Sequence, residues 1–223
     1  MVAVWCASGA KIVGVIAEPH GPPDRACGAG ILRDIASGKS YAIYLETPPD
    51  RTSCHLDAAG VTGACTMVSE QQLERVTGYL SLGKQEGARA VAGGERLTEG
   101  PMAKGYFVPP TVFAGVRDDM RIAQEEIFGP VISAIPFKNM DELVQRANAT
   151  MFGLGSGVWT KDVSKAHHLA ATIRAGSVWV NCYQAMDPAV PFGGYKMSGY
   201  GRESGLQQME EYLNVKAVWI KTG

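Results

Sequence analysis

From about residue 67 onward, apolar positions recur at helical spacing and are separated by shorter apolar runs. The sequence SEQQ at 69–72 is a capping box, with Ser69 accepting a backbone hydrogen bond at the start of a helix. Gly176 stands where a left-handed cap would end the last long helix. The periodicity predicts helices from 69 to about 83–87 and at 120–126, 140–149 and 162–175.

Strand-length apolar runs alternate with these helices. The run at 105–113 contains two adjacent prolines, which indicate an edge strand or a bent strand. This alternation predicts an α/β fold with a mostly parallel, twisted sheet flanked by helices. The predicted strands are 89–92, 105–113, 131–137, 157–160, 177–181 and, in the tail, 213–221.

The first 66 residues have a different character. They contain clusters of Gly, Pro, Cys and His, such as GPPDRACGAG at 21–30, and only short strands are predicted, around 10–17 and 40–45. We therefore divide the chain into an atypical N-terminal segment, an α/β domain and a tail. The predicted boundaries are 1–66, 67–204 and 205–223.

Composition narrows the classes of function. The formal net charge of −1 gives no bulk attraction to nucleic acid or to an anionic membrane. No apolar stretch reaches the roughly eighteen residues that a transmembrane helix needs. The five cysteines are odd in number and irregularly spaced, which argues against a disulfide framework or a zinc site. These features predict a cytoplasmic protein with no metal.

Three motifs identify a family. They are EEIFGP at 125–130, GSVWVN at 176–181, and PFGGYKMSG at 191–199, which continues into GRE at 201–203. In this order and spacing the motifs resemble the NAD(P)-dependent aldehyde dehydrogenase superfamily. The resemblance covers roughly 67–221 and corresponds to the C-terminal, catalytic and oligomerisation portion of such enzymes. It is supported by GYF at 105–107, PTVF at 110–113, Asn148 and FGL at 152–154.

The resemblance implies a cofactor site in the first motif. Glu126 would hold the nicotinamide ribose, because a carboxylate accepts hydrogen bonds from hydroxyl groups, and Phe128 would contact the nicotinamide. From the residues alone, a different interpretation is favoured. In that interpretation the motif ends a helix and Phe128 packs in the core.

The resemblance also implies a substrate tunnel lined by the loop at 182–190. Tunnel walls are mostly apolar with few polar groups, and Met186 and Phe192 are the candidate substrate contacts. Core filling is an equal alternative for Met186. Lys196, in the glycine-rich turn of the third motif, is predicted to be a surface or structural lysine.

Cys27 is the candidate nucleophile. It lies 42 residues before Ser69, near the position implied by the resemblance, and is followed by Gly-Ala-Gly. However, Asp24 and Arg25 replace the expected Gly-Gln, and the residues before Cys27 are too few for a cofactor-binding domain. The sequence thus predicts a truncated enzyme. An out-of-frame or rearranged segment before residue 67 would explain the change in character.

The predicted function is oxidation of a small aldehyde to a carboxylate with NAD or NADP as the hydride acceptor. The alternative is a catalytically inactive fragment that acts as an assembly or binding module. The apolar residues at 212–220 favour a homo-oligomer, because the family's tail contributes to subunit association. Nucleic acid and membranes are not expected partners.

Overall fold

A computed structural model of the chain describes residues 2–8, 10–17, 29–33, 40–44, 65–182 and 185–223, with the backbone alone described in the four segments before residue 65. Thirteen strands lie within these residues. In chain order they are β1 Val2–Ser8, β2 Ala10–Ala17, β3 Ala29–Arg33, β4 Ser40–Tyr44, β5 Cys65–Thr66, β6 Arg89–Ala92, β7 Phe107–Val108, β8 Thr111–Ala114, β9 Val131–Pro136, β10 Phe152–Gly153, β11 Gly155–Val158, β12 Ser177–Val180 and β13 Tyr195–Lys196.

The helices agree closely with the periodicity of the sequence. Ser69 caps the first helix by accepting from the backbone N–H of Gln72 at 3.2 Å, as the capping box predicts. Asn139 and Asp162 cap the third and fourth helices in the same way. The helices are α1 Glu70–Gln85, α2 Arg121–Gln124, α3 Met140–Asn148, α4 Val163–Thr172 and α5 Gln207–Glu210, with a 3₁₀ turn at Gly100–Lys104.

Seven strands form the main sheet, in the order β12-β11-β2-β1-β9-β8-β6. The hairpin β1–β2 stands in the middle of this sheet, with β1 paired to β9 and β2 paired to β11. The predicted α/β class is confirmed, but the sheet is mixed. Three of the six pairings between these described strands are antiparallel, because the hairpin reverses direction and β6 joins the edge of β8 antiparallel.

The buried apolar residues form two clusters. In the first, α1 packs through Val76 and Leu80 against Phe113 of β8 and against Ile127. The second cluster joins α3 and α4 to β11. Apolar area removed from water is the main stabilising term here, at about 25 cal/mol per Å². The first cluster includes Ile127 and therefore anchors the segment that follows α2.

Three expectations differ from the structure. Residues 213–223 form no strand within the chain, so the predicted tail strand has no partner in the described residues. Strand β12, whose continuous apolar run is typical of a buried strand, is half-buried. Cys65 is disulfide-bonded, although the number and spacing of the cysteines argue against a disulfide framework. In the described part of the chain, no helix has the length and apolarity needed to cross a membrane.

Candidate functional site

The segment at 125–130 links the end of α2 to the start of β9, and its two glutamates differ in their surroundings. Both carboxylate oxygens of Glu125 are occupied. Arg121 donates to them at 2.7 and 2.9 Å, and the Tyr79 hydroxyl donates at 2.8 Å. Glu126 is half-buried, and its carboxylate has no hydrogen-bond or ion-pair partner among the described residues. Of these two glutamates, Glu126 is therefore the one whose carboxylate is left for a ligand within the described part of the chain.

The pKa values of Glu125 and Tyr79 shift in opposite directions. The hydrogen bonds from Arg121 hold the pKa of Glu125 below its usual range, and Tyr79 adds to this effect. Burial, followed by the hydrogen bond to Glu125, raises the pKa of Tyr79. The tyrosine thus remains a neutral donor, and the glutamate remains an anion at neutral pH. This cluster fixes the end of α2 immediately before Glu126.

Phe128 lies on the surface. Its side chain is 45% exposed, whereas the neighbouring Ile127 is 1% exposed and belongs to the core. Phe128 also has φ 61°, in the left-handed region that residues with side chains rarely adopt. The expectation from the residues alone, that Phe128 fills the core, is therefore wrong. An exposed ring two positions after a carboxylate that no described residue pairs with suits a flat heterocycle attached to a sugar.

Asn181 follows the carboxyl end of β12 and begins the loop predicted to line a tunnel. It has φ 55°, and its side chain bonds both the N–H and the C=O of Thr160, each at 2.9 Å. The indole N–H of Trp179 donates to the carbonyl of Ala185 at 2.9 Å. The Asn181 contacts fix the start of the loop to Thr160, and the Trp179 contact fixes Ala185 of the loop to β12. Met186 in this loop is 60% exposed, so it does not fill the core.

Phe192 lies in the glycine-rich turn that follows the loop. It is half-buried, and its backbone exchanges two hydrogen bonds with Glu203, each 2.7 Å long. The turn approaches β12 so closely that a Cβ atom on Gly176 would overlap the carbonyl oxygen of Gly193. Position 176 therefore requires glycine because no side chain fits there. The φ angle of Gly176 is not in the left-handed region, so the predicted left-handed cap is wrong.

Lys196 has a structural position in the same turn. Its amine donates to the carbonyls of Asn148 at 2.9 Å and Thr150 at 3.0 Å. Partial burial of the amine, and then the charge of Arg174, lower the pKa of Lys196. The lysine thus ties the turn to the end of α3.

Phe192, one of the two predicted substrate contacts, lies at the same end of the sheet as the predicted cofactor segment. Strands β9 and β12 are connected through β1, β2 and β11. Two of the four pairings along this path are antiparallel, so the direction reverses twice and β9 runs parallel to β12. The segment at 125–130 precedes the amino end of β9, and Gly193 contacts Gly176 before the amino end of β12. The two strands are four strand spacings apart, roughly 19 Å.

Other predicted residues are placed differently. Cys27 lies outside the described residues, and so does Tyr183 of the tunnel loop. Cys182 is exposed beside Asn181, at the carboxyl end of β12. The described residues contain no group of three or more His, Cys, Asp or Glu side chains placed to hold a metal ion. The sequence reasoning missed Gln72 and Arg75, which contact the segment at 126–128 from α1.

Comparison with known proteins agrees with these motifs. A sequence model of the aldehyde dehydrogenase family matches residues 55–218. A second model, described as a protein of unknown function, matches residues 1–88. The chain is 49% identical to the putative aldehyde dehydrogenase DhaS of Bacillus subtilis over 80% of the chain and 34% of that protein. It is 53% identical to aldehyde dehydrogenase 1 of Tanacetum cinerariifolium over 67% of the chain and 29% of that protein.

Solved structures show the same relationship. An aldehyde dehydrogenase from Bacillus cereus, in complex with NAD⁺, superposes with a TM-score of 0.66 at 48% identity, covering 71% of this chain and 32% of that one. The indole-3-acetaldehyde dehydrogenase AldA of P. syringae, also with NAD⁺, gives a TM-score of 0.66 at 47% identity over the same shares. The chain spans about a third of the length of these relatives. The family model covers most of the chain, and the chain therefore belongs to the aldehyde dehydrogenase family.

Proposed function

We propose that the chain is the cofactor- and aldehyde-contacting part of an oxidoreductase that converts an aldehyde to a carboxylate with NAD or NADP. The observation that carries this proposal is the contrast within the first motif. Both carboxylate oxygens of Glu125 are bonded by Arg121 and Tyr79, whereas the carboxylate of Glu126 has no partner among the described residues and precedes the exposed Phe128 by two positions. Two solved relatives are complexes with NAD⁺, which supports a nicotinamide cofactor.

The residues of the segment fit such a cofactor. The carboxylate of Glu126 can accept from the two ribose hydroxyls, and the ring of Phe128 can pack against the nicotinamide. A bound nicotinamide supplies the acceptor for the hydride that leaves the oxidised carbon. On the protein side, Glu126 fixes the ribose and Phe128 limits the positions of the ring, so both residues act by orientation.

The substrate side of the proposal assigns Met186 and Phe192 as contacts for the aldehyde. Met186 is largely exposed on a loop held by Trp179, and Phe192 lies on the turn fixed by Glu203 and Gly193. An apolar chain or an aromatic ring suits these two side chains, because a flexible thioether and a ring offer dispersion contacts and few polar groups.

Cys27 is the proposed nucleophile. Its thiolate would attack the carbonyl carbon, the carbon would lose its hydride to the cofactor, and water would then cleave the resulting thioester to the carboxylate. The support for this assignment is sequence spacing alone, since Cys27 lies outside the described residues.

The assay is NAD- or NADP-linked oxidation of a panel of small aldehydes by the whole chain, read as absorbance of the reduced cofactor. We expect activity that is abolished in Cys27→Ala and retained in Cys182→Ala. Activity that survives in Cys27→Ala would remove Cys27 from the mechanism. No activity in a chain that remains folded by circular dichroism would contradict independent catalysis.

A second proposal is favoured by the tail. Tyr212, Val215, Trp219 and Ile220 are all at least 80% exposed, and no strand of the described chain pairs with them. A contiguous apolar segment of this kind marks an association surface. We therefore propose a homo-oligomer, and in the absence of catalysis the chain would serve as an assembly module.

A further inference from the structure

The geometry of α1 points to a role for two side chains that the family motifs do not include. We infer that Gln72 and Arg75 are positioning residues, which hold the segment at 126–128 in the conformation that presents the Glu126 carboxylate and the Phe128 ring. This inference rests on the proposed cofactor role of that segment. The positioning itself can be measured without any cofactor.

Two side chains bond three consecutive carbonyl groups. Arg75 donates from a terminal nitrogen to the carbonyl of Glu126 at 2.6 Å and from Nε to that of Ile127 at 3.4 Å. Gln72 donates from its amide nitrogen to the carbonyl of Phe128 at 2.9 Å. The planar guanidinium allows Arg75 to serve two acceptors at once, which a lysine amine at the same place would do with less geometric control.

Gln72 is itself fixed at both ends. Its side-chain oxygen accepts from the backbone N–H of Val68 at 2.8 Å, while its nitrogen reaches Phe128. Its own backbone N–H donates to the cap residue Ser69. The first turn of α1 is therefore tied directly to the segment, so the helix start and the candidate cofactor segment form one hydrogen-bonded unit.

The conformation held in this way needs support. Phe128 lies at φ 61°, a region that costs a residue with a side chain free energy unless its surroundings fix it. Packing contributes on one side, because Ile127 is buried and a Cβ atom on Gly129 would come within 2.5 Å of Val76. Gln72 and Arg75 contribute on the other side, where the segment faces solvent.

The chain also offers matched controls. Gln71 is exposed beside Gln72, and its side chain has no hydrogen bond among the described residues. Arg89 on β6 is an exposed arginine whose side chain likewise has no ion pair among the described residues. Arg75 also lies over the ring of Tyr79 at 5.6 Å, and Arg75→Lys keeps a positive charge there while giving up the bidentate geometry.

The test is limited digestion of the folded chain with thermolysin, which cuts before apolar residues. Mass spectrometry would follow cleavage before Ile127 and Phe128 relative to cleavage in the exposed tail. We expect Gln72→Ala and Arg75→Lys to raise relative cleavage at 126–128 about tenfold, because the segment opens more often. Gln71→Ala and Arg89→Lys should leave it unchanged, and urea midpoints would show that all variants remain folded.

Equal cleavage at 126–128 in Gln72→Ala, Arg75→Lys and their controls would overturn the inference. A parallel titration with NAD⁺ separates it from the proposed function. Weaker binding in Gln72→Ala and Arg75→Lys, together with faster cleavage, would support both proposals. Faster cleavage in a chain that binds no NAD⁺ would support the positioning role and contradict the cofactor role.

Discussion

At the residue scale, the two glutamates of the first motif show how far sequence reasoning reaches. No local pattern distinguishes Glu125 from Glu126, and only the family resemblance assigned the ribose to the second. The structure supplies a physical reason for a difference between them, since Arg121 and Tyr79 occupy the first carboxylate. Phe128 gives the same lesson. Apolar character predicts burial, but a left-handed backbone turns this ring outward.

The state of Glu125 predicts a pH dependence of stability. Its pKa is lowered in the folded chain, so its ionised form stabilises the fold above the unfolded pKa of about 4.3 and loses that effect as pH falls through the folded value. We therefore expect Glu125→Gln to unfold at lower urea concentration than the wild type at pH 7. The gap between the two midpoints should narrow as the pH falls below about 4.3.

Urea denaturation at several pH values measures this directly. Glu126→Gln is the matched control, because Glu126 has no ion pair among the described residues. A gap between Glu125→Gln and wild type that stays constant from pH 7 to pH 3 would contradict the assigned role of Arg121 and Tyr79.

At the element scale, the helices and most strands follow from apolar periodicity and caps. The disagreement at α4 is instructive. The periodicity predicts a helix to residue 175, but the helix ends at Thr172. Ile173 and Ala175 are both 6% exposed. The apolar spacing therefore predicts their burial correctly, although the backbone is already extended at Ile173. Gly176 is likewise needed for close approach to Gly193, a long-range contact that no local pattern contains.

The start of α1 yields a stability prediction. Ser69→Ala removes the acceptor for the Gln72 N–H and should lower the free energy of unfolding by about 1 kcal/mol. Ser81→Ala, in the exposed middle of the same helix, should be neutral or slightly stabilising, because alanine has the higher helix propensity. Chemical denaturation of both variants makes the comparison. Equal effects would argue against the cap.

At the scale of the whole molecule, the sequence predicts the class of the fold and misses how the N-terminal segment joins it. The sequence sets residues 1–66 apart as an atypical segment and does not predict β1, and the structure pairs β1 and β2 with β9 and β11 in the main sheet. Pairing between distant strands is set by edges that become available only when the sheet forms.

The exposed tail predicts self-association. We expect size-exclusion chromatography with light scattering to show that the chain is an oligomer. A chain that ends at residue 212 should form an assembly of fewer subunits. Trp219→Ser should weaken association, whereas Val163→Ser, which removes an exposed apolar side chain from α4, should not. A wild-type monomer at high concentration would contradict the proposed assembly.

The central claim is that the segment at 126–128 binds a nicotinamide cofactor, and calorimetric titration with NAD⁺ and NADP⁺ tests it most directly. Wild type, Glu125→Gln and Glu126→Gln would be compared at pH 7. We predict saturable binding of one cofactor, weakened at least about tenfold in Glu126→Gln, a loss of about 1.4 kcal/mol, and much less in Glu125→Gln. Absence of binding in the folded wild type, or equal binding in all three chains, would contradict the account.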